Sequence, residues 1–93
     1  YLSNRERGIA PRLHSALRSV RKRVVDGERK WQDIESDAVR ELARAGFEPD
    51  YLSVRRAGDL LPPREGDREL VALAAARLGK TRLIDNLRIS LPA

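Results

Sequence analysis

The spacing of apolar residues changes at Gly46, and that change divides the chain into a helical half and a stranded half. Before it, Ile9, Leu13, Ala16, Leu17, Val20 and Val24 recur every three or four positions and keep one face apolar. Trp31, Ile34, Ala38 and Leu42 form a second such stripe. After it, Tyr51-Leu52-Ser53-Val54-Arg55 alternates in the manner of a strand with one buried face.

Local signals set the limits of these elements. Ser3-Asn4-Arg5-Glu6 is a capping box, in which the serine hydroxyl accepts from the Glu6 N–H and the Glu6 carboxylate reaches back to the Ser3 N–H. Pro11 falls inside the first stripe and removes a backbone donor, so the helix should kink there or restart after a short segment. Arg21, Lys22 and Arg23 fall in the last turns, where the helix dipole favours cations, and Asp26-Gly27 ends the helix. The second helix should run from about Lys30 to Ala45, with Asp33, Glu35 and Asp37 early and no clear N-cap. Gly46 suits its C′ position, and Phe47 can fold back on Leu42.

Residues 58–67 read as a loop broken by Pro62-Pro63 and Gly66. Residues 70–78 are a continuous small-apolar run that fits a central strand or a helix. Gly79-Lys80 is a turn, and residues 81–89 complete a hairpin. The expected fold is a single α+β domain over residues 1–93, in the order α-α-β-β-β. Its two helices pack on one face of a small three-stranded antiparallel sheet.

Composition narrows the function classes. The chain of 93 residues has no cysteine, which excludes disulfides and thiolate metal sites. It also has no methionine, so Tyr1 is not expected to be a natural start and the chain reads as a piece of a longer protein. No signal peptide or long apolar segment is present, and nothing argues for secretion or a membrane partner. Lys and Arg number 19 against 14 Asp and Glu, a net charge of +5. Charge alone allows a small nucleic-acid-binding module, but the basic groups fan around the first helix instead of forming a stripe. An interaction domain using a helix-free sheet face is a further alternative.

The chemistry-bearing candidates favour structural roles. Gly79-Lys80-Thr81 resembles the end of a phosphate-binding loop, but position 74 is Ala where that motif needs glycine, and a strand follows. His14 is the only histidine, has no obvious acid partner in the sequence, and is expected to be solvated on the surface. The basic cluster at 18–23 is expected to be a solvated helix end. Tyr1, Trp31, Phe47 and Tyr51 make no spaced stacking platform with it, and Trp31 and Phe47 suit core or cap contacts. Asp85-Asn86 breaks the strand rule, as a bulge, a site or a constrained contact would. In a regular strand Asp85 shares a face with Leu83, Leu87 and Ile89 and needs a partner, with Arg82, Arg77 or backbone N–H groups the candidates.

Four segments together resemble the pantothenate synthetases. Tyr1-Leu2-Ser3 with Glu6, Arg7, Ala10 and Pro11 matches the family's opening tyrosine-leucine-serine and its alanine-proline helix. Asp26-Gly27-Glu28-Arg29 is similar to its inter-helix turn. Gly46-Phe47 with Asp50-Tyr51-Leu52-Ser53-Val54-Arg55 resembles its first strand. Ala74-Ala75-Ala76-Arg77-Leu78-Gly79 with Thr81-Arg82-Leu83-Ile84-Asp85-Asn86 resembles its final hairpin and is the most specific match. Lys30, where an acid or small polar residue would cap better, and Arg56, where the family carries an acid, depart from the pattern.

The resemblance implies the C-terminal lid domain of a two-domain ligase. The full enzyme would join pantoate and β-alanine through a pantoyl-adenylate, using ATP and magnesium, and would be a cytoplasmic homodimer. Its catalytic groups would lie on an N-terminal nucleotidyltransferase-type domain, the partner of this one. No catalytic, cofactor-binding or metal-binding residue is carried over to this chain, which is expected to be monomeric and inactive by itself.

Overall fold

A computed structural model describes residues 2–92. The elements are α1 (Asn4–Ile9), α2 (Pro11–Val25), α3 (Trp31–Ala45), β1 (Glu48–Arg56), β2 (Glu69–Leu78) and β3 (Thr81–Ser90). The strands form one antiparallel sheet in the order β1-β2-β3. This is the α+β class expected from the sequence. Tyr1, the first residue of the family-like opening segment, lies outside the described residues.

The first helix begins at the capping box. Glu6 N–H donates to Ser3 Oγ at 3.1 Å, and Ser3 N–H donates to Glu6 Oε1 at 2.9 Å. The helix then restarts at Pro11, which occupies the first turn of α2 and costs nothing there because that N–H would be unpaired anyway. Both longer helices end in the same motif. Gly27, at φ 106°, lets its N–H reach Val24 C=O while Glu28 N–H reaches Arg23 C=O. Gly46, at φ 113°, does the same with Ala43, and Phe47 N–H reaches Leu42 C=O. Lys30 precedes α3 and makes no side-chain cap bond.

Residues 70–78, open between strand and helix in the sequence, are the body of the central strand. Alanine-rich runs favour helix in isolation, but pairing on both edges decides the matter here. The inner face of β2 presents Leu70, Ala72, Ala74, Ala76 and Leu78 to the helices, and the three alanines are fully buried. Leu13, Leu17, Val20 and Val24 of α2 and Ile34 and Leu42 of α3 close over them, with Leu52, Val54 and Ile89 from the flanking strands. Each large side chain buried here contributes about 1.5–3 kcal/mol of transfer free energy. The opposite sheet face has no helix. It carries Tyr51, 41% exposed, and Ile84, 67% exposed.

Candidate functional site

β3 runs without a register break opposite β2, so its side chains alternate strictly between the faces. Asp85 therefore points inward, across from Ala74 and between Leu83 and Leu87. A carboxylate on that face needs a partner. His14 supplies it from α2, with Nδ1 at 2.9 Å from Asp85 Oδ2. The other carboxylate oxygen accepts from Asn86 N–H at 2.8 Å. The His14 side chain is 44% exposed and that of Asp85 33% exposed, so the pair sits at the rim of the core, not within it. Leu2, Arg7, Ala10, Leu13, Leu83 and Ile84 surround it in an open groove of about 390 Å³.

This corrects two expectations. His14 is half-buried and bonded to an acid; it is not a free surface histidine. Asp85 is held by His14 and by the backbone N–H of Asn86, one of the kinds of partner expected, and neither by an arginine nor at a bulge. Arg82 instead donates to Asp50 Oδ2 at 2.9 Å. The bulge lies in β1 between Pro49 and Tyr51, where Asp50 is the extra residue. The Asp85-Asn86 rule violation thus marks a constrained contact between helix and sheet. Asn86 itself is exposed on the outer face.

The pair is suited to positioning. A carboxylate facing Nδ1 selects the tautomer that donates from that nitrogen and leaves Nε2 as an acceptor. The hydroxyl of Ser15, next in sequence, is turned away to Pro11 C=O at 3.3 Å. Gly79-Lys80 forms a two-residue hairpin turn, with Gly79 at φ 62° and Leu78 paired with Thr81, so the Gly79-Lys80-Thr81 run opens a strand and not a phosphate-binding helix. Among the described residues no three His, Cys, Asp or Glu side chains converge as metal ligands. No helix of the described residues is long and apolar enough to cross a membrane.

Two members of the basic cluster on α2, Lys22 and Arg23, pair with acids beyond that helix. Lys22 pairs with Asp26 at 2.9 Å. Arg23 grips Glu28 and reaches Asp37 of α3 at 3.0 Å, while Arg40 also holds Asp37. The hydrogen bonds that Arg23 donates to the Glu28 carboxylate are the main reason that its guanidinium is held above its ordinary range, and Asp37 adds to them. Asp50 acts in the same way on Arg82. Trp31 rests partly on the core with the Arg29 guanidinium 5.8 Å from its ring centroid, and Phe47 is buried.

One contact had no sequence signal. Glu35 of α3 accepts the N–H of Val54 at 2.8 Å, tying the helix to the backbone of an edge strand. Its periodic position shows only that it flanks the buried stripe; which strand atom it meets depends on how α3 lies along β1.

A family model described as pantoate-beta-alanine ligase matches residues 1–88. The pantothenate synthetase of Neisseria meningitidis serogroup C is 49% identical over 92 residues, which cover 99% of this chain and 33% of that protein. The pantothenate synthetase of Thioalkalivibrio sulfidiphilus is 48% identical over 92 residues, covering 99% and 32%. The crystal structure of pantothenate synthetase from Thermus thermophilus superposes with a TM-score of 0.73 at 32% identity, covering 94% of this chain and 32% of that one. The chain spans about a third of the length of the curated relatives it matches. On the combined ground of the matched residues, the identity and the superposition, this chain belongs to the pantoate–β-alanine ligase family.

Proposed function

We propose that this chain is the C-terminal lid domain of a cytoplasmic, ATP-dependent ligase that joins pantoate and β-alanine. The observation that carries the reading is the near-complete match of this chain to one third of a pantothenate synthetase. In the full enzyme, the pantoate carboxylate attacks the α-phosphorus of ATP and releases pyrophosphate. The β-alanine amine then attacks the resulting pantoyl-adenylate, AMP leaves, and an amide forms. The groups that bind ATP and pantoate belong to an N-terminal nucleotidyltransferase-type domain, which is also the main contact of a homodimer. This domain's contribution is to exclude water from the mixed anhydride while the amine arrives.

The structure supports that role through what it leaves uncovered. The helix-free sheet face keeps Tyr51 and Ile84 in solvent, and the rim groove holds a positioned His–Asp pair in place of a reactive set. The net charge of +5 supports a further part of the reading, a long-range field that favours anionic ATP and pyrophosphate.

Two measurements test this function. The purified chain, given pantoate, β-alanine and ATP, should form no pantothenate, and turnover by the chain alone would overturn the reading. In the full-length enzyme, Ile84→Asp should loosen the cover and raise AMP release relative to pantothenate formed. An unchanged ratio in a folded variant would remove the lid role.

A further inference from the structure

We propose that the depression between the end of α2 and the loop preceding β2 binds a small phosphate-bearing anion. It lies at the other end of α2 from His14. It is lined by Val25, Arg29, Trp31, Arg64, Arg68 and Leu91 and has a volume of about 370 Å³. Small-ligand sites run from about 300 to 1,000 Å³.

The charge balance there is one-sided. Arg29 donates to the backbone carbonyls of Val24 and Glu28, each at 2.7 Å, so its guanidinium is fixed without being neutralised by a carboxylate. Asp67, the acid nearest in the loop, is already engaged by the Arg64 N–H at 2.7 Å and by Arg56 Nε at 3.3 Å. Among the described residues no ion pair closes on Arg29, Arg64 or Arg68. Asp67 itself lines the depression, and Glu65 lies on the rim of the adjoining hollow, so three guanidinium groups there face two carboxylates, one of them already engaged. Other arginines without a carboxylate partner are spread over the rest of the surface, whereas Arg29, Arg64 and Arg68 line one concave surface with apolar walls.

Guanidinium is the cation suited to this ligand. Its planar fork matches two phosphate oxygens at once, and partial exclusion of water by Trp31 and Leu91 strengthens the attraction. The shared recognition element is the phosphate group, whether free as orthophosphate or pyrophosphate or carried on a nucleotide.

Trp31 is the only tryptophan and serves as a built-in reporter. The experiment titrates the 93-residue chain with orthophosphate, pyrophosphate and ATP in turn, with glutamate as a carboxylate control, at a fixed ionic strength of about 0.1 M. Tryptophan emission and the backbone amide NMR shifts of residues 64–68 are followed. Saturable changes with the phosphates and none with glutamate are expected. Similar affinities for pyrophosphate and ATP assign the site to the phosphate group alone, whereas tighter ATP adds a base contact. Arg64→Gln with Arg68→Gln should weaken binding about tenfold, the effect of losing one charge-assisted bond. Arg12→Gln with Arg18→Gln removes the same charge elsewhere and should leave binding unchanged. Silence of both probes, or equal weakening by the two double variants, would overturn the proposal.

Discussion

Asp85 shows what a single misplaced-looking residue can report. Strand propensity disfavours it, the inward face disfavours its charge, and a histidine 71 positions away in sequence resolves both. The need for a partner was legible from alternation alone. The partner was not, because it depends on how far α2 is rotated and shifted over β3, which no local pattern encodes. Both side chains remain about a third or more exposed, so solvent screens the pair. A double-mutant cycle of His14→Ala and Asp85→Ala, read by urea unfolding, should give a coupling of about 0.5 kcal/mol, with Asp85→Ala alone costing about 1 kcal/mol. Zero coupling would mean that the contact does not hold helix and sheet together. Arg23 and Arg82 behave differently on titration. A cation whose folded value is raised contributes fully below the unfolded arginine value, and the contribution is lost only as pH climbs through the folded one. Their pairs should therefore leave stability flat across the neutral range on the cationic side.

The helices were readable to within a residue or two because their signals are local. Capping box, Pro11, Gly27 and Gly46 act within a turn of the positions they define. β2 was not readable, since Ala74-Ala75-Ala76 suits a helix until two strands pair with it. The clamp between α3 and β1 belongs to this scale too. Val54 N–H is a strand donor met by a helix carboxylate at 2.8 Å. Glu35→Ala should cost about 1–2 kcal/mol by leaving that donor without its partner, whereas Glu35→Gln keeps an acceptor and should recover most of the loss. Chemical denaturation of the two variants checks this. Equal destabilisation would show that the carboxylate charge matters, not the hydrogen bond.

At the scale of the molecule, one core unites every element, and the radius of gyration of 13.5 Å is that of a closed domain of this length. Unfolding should therefore be cooperative, with circular dichroism and Trp31 emission giving coincident transitions. Separate transitions would mean that the helical layer loosens before the sheet. The fold class and the position of every strand but one could be inferred from the sequence. Which face the helices cover was legible from the alternation in β1 and β3, but not from β2, whose residues are apolar on both sides. Ala72, Ala74 and Ala76 carry one further consequence. Side chains this short let α2 lie close over the strand, with little clearance in which one layer can slide over the other. The alanine seam therefore makes this layer and the sheet move together, as one stiff plate.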